Sequence, residues 1–219
     1  MFWNIFIALL LIFILWVLFS YNKTHEKFSR SLNMAVFLIK DAENFIEQAG
    51  LLEVFRHLHR EKWNRFLFGD PYIALEKVVR PGGTKHYIAI PKNCEKILES
   101  RAGLLKVDDT AIPKNRFYSA VYLGRLPKGI NFDSPKLHED EGAAFQVLVR
   151  HLHKHLVARK AVFESNLEIL VWADSKERAK KILGAKSSKT AVFDFFHRIF
   201  ENKNRVSISF KELKDIFLS

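Results

Sequence analysis

The chain has 219 residues, a formal net charge of +11 and one cysteine, Cys94. A single thiol excludes an internal disulfide and any multi-cysteine cage for zinc or an iron–sulfur cluster. The basic balance favours polyanionic partners: nucleic acid, anionic lipid or an acidic protein surface.

Residues 2–19 read FWNIFIALLLIFILWVLF, without charge, proline or glycine. A run of about 18 apolar residues has the length to cross hydrocarbon as a helix, the form that satisfies its own backbone there. Phe2, Trp3, Leu11, Trp16 and Phe19 are the expected membrane-anchoring side chains. The indoles belong at the headgroup level. A secretory signal would open on a basic residue and close on a small-residue cleavage site, and neither feature is here. Lys23, Lys27 and Arg30 follow the run and nothing basic precedes it. The positive-inside rule therefore predicts a single-pass inner or cell membrane protein with its C-terminal part in the cytoplasm. The lone thiol suits that reducing compartment.

Residues 22–31 are polar and basic and read as a juxtamembrane linker. NMAVFLIK (33–40) is rich in strand formers, and DAEN after it carries N-cap chemistry. Apolar positions at 45, 46, 49, 52, 55 and 58 give an amphipathic helix. Tyr72 to Arg80 and Lys85 to Pro91, separated by Pro81-Gly82-Gly83-Thr84, predict a hairpin. A short helix over 93–101 and a strand from Leu104 complete a β-α-β-β-α-β order, the ferredoxin-like pattern. Beyond Pro113 the alternation predicts strands at 117–123, 143–150, 167–172 and 204–210. A short helix near 136–141, a basic helix over 175–183 capped by Asp174, an aromatic helix over 190–200 and a terminal helix over 211–218 accompany them. The expected fold is α+β: a transmembrane helix (1–21), a linker (22–31) and two ferredoxin-like modules, 32–112 and 113–219.

Several stretches carry a resemblance: VFLIK…FIEQAGLLEVFRHLH, KWNRFLFGDPYIALEKVVRPGGTKHYIAIPK, EDEGAAFQVLVR, SNLEILVWADSKERAKKIL and FFHRIFENKNRVSISFKELKDIF. Preceded by an anchor, they resemble the membrane-anchored N-terminal module associated with conjugation ATPases of type IV secretion-like DNA-transfer systems. The likeness covers most of residues 33–217 and implies a module that accompanies a motor domain. It implies no catalytic residues. This sequence has no G-x-x-x-x-G-K-S/T loop to cradle phosphates, so the motor is expected to be a separate cytoplasmic ATPase.

His151, His153 and His155 would share a face if extended, and neutral imidazoles there suit zinc or nickel. No fourth ligand stands at a suggestive spacing, so no metal or cofactor is assigned. His57 and His59, at i and i+2 on a helix, face apart. The run Glu139-Asp140-Glu141 reads as a solvated loop, and Cys94 lacks an activating neighbour. The chain is therefore read as non-enzymatic. RNA stacking of the RRM type lacks its aromatics, since Tyr87 is the only one on the third strand. Lys176, Arg178, Lys180, Lys181, Lys186 and Lys189 are candidate polyanion contacts, with DNA as the ligand. Phe193, Phe196, Phe200 and Phe217 are candidate partner-docking residues. The expected function is an assembly scaffold of a DNA-transfer complex, oligomeric or part of a larger assembly. The alternative is a membrane-tethered nucleic-acid-binding module.

Overall fold

The computed structural model describes residues 2–47, 54–55, 58, 71–99, 101, 103–124, 137–151, 162–184 and 186–218. Helix α1 (Phe2–Leu32) opens the chain, and its described side chains are those of residue 3 and residues 5–21. There follow β1 (Met34–Ile39), α2 (Ala42–Glu47), β2 (Ile73–Arg80), β3 (Gly83–Pro91), α3 (Glu95–Glu99) and β4 (Leu104–Val107). The second half holds β5 (Phe117–Tyr122), β6 (Gly142–His151), β7 (Val162–Ala173), α4 (Lys176–Leu183), α5 (Lys189–His197), β8 (Val206–Ser209) and α6 (Phe210–Leu218).

All eight strands of the described residues join one sheet in the order β4-β1-β3-β2-β6-β7-β5, with β8 also on β7. This corrects the expectation of two ferredoxin-like modules. Strands β2 and β6 zip antiparallel from Ile73↔Val149 to Val79↔Ala143, so the two halves share their sheet. Both strands are largely buried on both faces, and separate modules would have left those edges unpaired. The second half keeps the expected chain order of its strands but not a ferredoxin-like pairing. β5 pairs with Glu168–Ala173 of β7 and β8 with Val162–Ser165, so the two lie end to end along one side of β7. A β7 of 12 residues has room for both, as β5 has 6 and β8 has 4.

The transmembrane element of the expected fold is corrected as well. Among the described residues no helix is long and apolar enough to cross a membrane. The described apolar side chains of α1 run unbroken only from Ile5 to Phe19, short of the roughly 20 that a span needs. Those side chains stand exposed along the helix. The helix also continues through 22–31, the expected linker, to Leu32. Extending an existing helix costs far less than nucleating one, so good helix formers such as Glu26, Lys27 and Arg30 carry it on. Only Asn33 separates it from β1, and α1 comes against α5.

Alternation along the strands builds two cores. Ala35, Phe37 and Ile39 of β1 lie with Ile73, Leu75, Phe145 and Val147 beneath α2, α3 and α6. Val36, Ala74, Ala144, Leu148 and Trp172 face the other way, beneath Ala191 and Phe195 of α5. Each fully buried Leu, Ile or Phe contributes about 1.5–3 kcal/mol, so these layers carry most of the stability. Gly142 is fixed by packing: a Cβ there would overlap the Trp172 ring of its cross-strand partner. Gly83 is fixed by backbone, since its φ of 126° closes the β2–β3 hairpin where other side chains would be strained.

Local corrections are small and have clear causes. Ser175, not Asp174, caps α4, its hydroxyl accepting from Arg178 N–H at 3.2 Å. Asp41 caps α2 through Asn44 N–H at 3.0 Å, as the DAEN stretch suggests. Residues 137–141 form a turn rather than a helix, because Glu141 folds back to accept from His138 N–H at 2.9 Å.

Candidate functional site: a buried polar row under α5 and the surfaces around it

Antiparallel pairing places cross-strand partners on the same face. Glu76 of β2 pairs with Gln146 of β6, Gln146 with Glu168 of β7, and Glu168 with Tyr122 of β5. The register thus draws a row of polar side chains across the middle of the sheet, on the face that α5 covers. Glu76, Gln146 and Glu168 are buried.

Helix α5 supplies the counter-groups. Ser188 caps it, and it ends at Arg198 in the left-handed conformation (φ 49°, ψ 47°). That bend turns the guanidinium under the helix, where Nε donates to Glu76 Oε1 at 2.7 Å and Nη2 to Asp109 Oδ1 at 2.9 Å. Burial by itself would lower the Arg198 pKa, but Glu76 and Asp109 more than offset it and hold it up. Gln146 Nε2 donates to Glu76 Oε1 at 2.8 Å and to the Phe195 carbonyl at 3.0 Å. Tyr72 donates to the Arg198 carbonyl at 2.6 Å. Tyr122 donates to Asp194 of α5, and burial, followed by that bond and nearby carboxyls, pushes the phenol up.

Glu168 differs from the rest. Neither carboxyl oxygen has a hydrogen-bond partner among the described residues, and neither does Gln146 Oε1 beside it. Burial first, then the charges of Asp194, Glu201 and Glu76, pushes Glu168 up to about 9. At neutral pH it is a neutral acid, which offers an O–H donor on the face where Gln146 presents its unused acceptor.

A small cavity of about 60 Å³ opens at one end of the row, lined by Glu76, Asp109, Lys114, Phe196 and Arg198 among others. Small-molecule sites begin near roughly 300 Å³, so this space suits water better than substrate. The row is thus a hydrogen-bonded clamp between sheet and helix, with one proton held at Glu168.

Sequence reasoning missed this row, although its signal is visible afterwards. In IALEKVV, AAFQVLV and LEILVW, Glu76, Gln146 and Glu168 each sit where the strand demands an apolar residue. Together they are one line across the sheet.

The residues singled out from sequence fall elsewhere. Lys176, Lys180, Lys181, Lys186 and Lys189 are exposed on and around α4 and α5. Arg178 is committed to Glu141, with Nε and Nη2 at 2.6 and 2.8 Å from its oxygens, which holds the Glu141 carboxyl below its usual range. Asp140 pairs with Arg116 at 3.2 Å, so two of the three acids in the run form ion pairs instead of being merely solvated. Phe193 and Phe196 are exposed at 47% and 37%, whereas Phe200 and Phe217 are buried and leave the docking set. In α1, Trp3, Leu11, Trp16 and Phe19 are exposed, while the Phe2 side chain lies outside those described. His151 ends β6, and His57, His59, His153 and His155 lie outside the described residues. Among the described residues no group of side chains is arranged to hold a metal ion. Cys94 is buried, and burial pushes its thiol up.

No family model, curated protein or solved structure matches the chain.

Proposed function

We propose that this protein is a non-enzymatic scaffold held at a membrane, which recruits a separate cytoplasmic ATPase of a conjugation-type DNA-transfer complex. The observation that carries the reading is α1. From Ile5 to Phe19 its described side chains are apolar and exposed on every side of the helix. A helix apolar all round needs an apolar environment, and contiguous apolar surface of this extent is rare on a monomer in water. Lipid provides that environment, with the basic C-terminal part on the cytoplasmic side. The resemblance over residues 33–217 supports the choice of system, and the broad sheet, buried on both faces, suits a rigid platform.

Flotation of the full chain with vesicles tests the lipid half. Leu11→Lys should weaken its retention, because a charge within the apolar stretch of α1 opposes transfer of that surface into lipid. Full retention of that variant on vesicles would remove the observation on which the reading stands. Co-purification with the system's ATPase in mild detergent, resistant to nuclease, tests the other half, and its failure would leave only a membrane protein.

The exposed lysines 176, 180, 181, 186 and 189 favour one second reading, a tethered DNA-binding module.

A further inference from the structure

The exposed face of α5 presents Lys189, Phe193, Phe196 and His197, spaced four, three and one residues apart and so aligned along one side of the helix. Phe193 and Phe196 are exposed, and Phe117 of the neighbouring β5 is exposed at 54%. Tyr118 meets Phe196 edge-on with centroids 4.8 Å apart, and Phe193 stacks on His197 at 4.1 Å, so the rings are held in place. The only acid of α5, Asp194, is buried and bonded to Tyr122. Exposed Lys186 adds charge just before the helix. Asp109, at the cavity mouth, is already paired with Arg198.

We propose that this face of α5 is a second lipid contact, seating its aromatic rings in the headgroup region of an anionic bilayer. Two arguments select lipid. Aromatic rings flanked by Lys186 and Lys189, with the exposed carboxylates of Asp109 and Asp174 already paired to Arg198 and Arg116, fit the interfacial zone of a negatively charged leaflet. Helix α1 also comes against α5, so this face belongs to an element that adjoins the helix of the lipid reading. The inference rests on the lipid reading of α1. It adds that the sheet lies against the membrane instead of swinging free.

The test uses the full chain carrying an environment-sensitive fluorophore on a single introduced cysteine, the buried Cys94 being replaced by serine in a refolding-checked background. Probes are placed at Phe193→Cys, at Trp16→Cys in α1, and at Lys96→Cys on α3 over the opposite face of the sheet. Vesicles of phosphatidylglycerol and phosphatidylcholine, with and without a lipid-borne quencher, are added. Blue-shifted, quenchable emission at positions 16 and 193 but not at 96 is expected. Lys189→Ala should then lower the docked-to-undocked ratio at position 193 by about fivefold, the worth of one basic residue near an anionic leaflet. Quenching at 16 with none at 193 would overturn the inference and leave the reading of α1 intact. No quenching at 16 would overturn the reading of α1 and this inference with it. A response at 193 to single-stranded DNA and not to vesicles would assign the face to base stacking and overturn the lipid assignment.

Discussion

Arg198 and Glu76 stand 122 residues apart in sequence and meet in the interior, Nε to Oε1 at 2.7 Å and Nη2 to Oε2 at 3.3 Å. The pair locks the end of α5 onto β2, and Asp109 completes the guanidinium's contacts from the segment after β4. Removing one partner leaves a buried, uncompensated charge. Arg198→Met should therefore cost about 3–5 kcal/mol in urea unfolding. The double variant Glu76→Leu/Arg198→Met should recover much of that loss, because an apolar pair of similar volume avoids the desolvation of both ions. Equal loss in both variants would show that the left-handed backbone at Arg198, not its charge, is what matters.

Glu168 gives the fold a defined pH dependence. Its carboxyl sits at about 9 in the folded protein against an ordinary value of 4.5. Between these values the folded state keeps a proton that the unfolded chain has released. The stability this proton confers is full below the lower value and is lost as pH rises through the upper one. Each pH unit in the window should cost up to about 1.4 kcal/mol, less any relaxation. Glu168→Gln, neutral at every pH, should flatten the melting temperature against pH across that window. An unchanged slope would assign the pH dependence to another group.

Gly142→Ala should destabilise by about 1–3 kcal/mol, since its methyl overlaps the Trp172 ring and the strands cannot separate without breaking ladder bonds. Combined with Trp172→Leu, the two losses should be less than additive, because the smaller side chain gives the methyl room. Chemical denaturation of the four proteins in that cycle measures the coupling.

DNA contact through the lysines around α4 makes its own demand on salt dependence. Replacing Lys180 and Lys181 by glutamine should then shallow the slope of log affinity against log salt by about 0.9 for each phosphate contact removed from duplex DNA. Arg178→Gln should instead lower stability, since it frees the buried Glu141 from its partner. Duplex binding whose salt slope is the same in the lysine variant would exclude these side chains as phosphate contacts.

The first half of the sheet was the most legible part of the sequence. VFLIK, the Pro81–Thr84 turn and the run at 85–91 each carry local signals, and strands and hairpin lie within a residue or two of where they read. What stayed hidden is non-local. Nothing near Ile73 or Val149 in sequence announces that β2 and β6 pair, since strand partners are chosen by apolar surface available across the whole chain. Glu76, Gln146 and Glu168 were equally opaque one strand at a time, as only the register makes them neighbours. Arg198 reads as one more basic residue of an aromatic helix until its positive φ turns it inward. The length of α1 was missed for a different reason: polar composition at 22–31 suggested a linker, whereas helix continuation depends on backbone propagation more than on an apolar stripe.

The junction of α1 with β1 has a mechanical consequence. Asn33 is the only residue between them, and its carbonyl is itself held by Lys92 N–H at 2.9 Å. Strand β1 is an inner strand, bonded along Met34–Ile39 to β3 and along Val36–Ile39 to β4. A pull along α1 therefore loads the ladders on both sides of β1 at once, instead of a single ladder at a sheet edge. Tension entering through the N-terminal helix is carried into the sheet one strand in from its β4 edge, with little slack along the way.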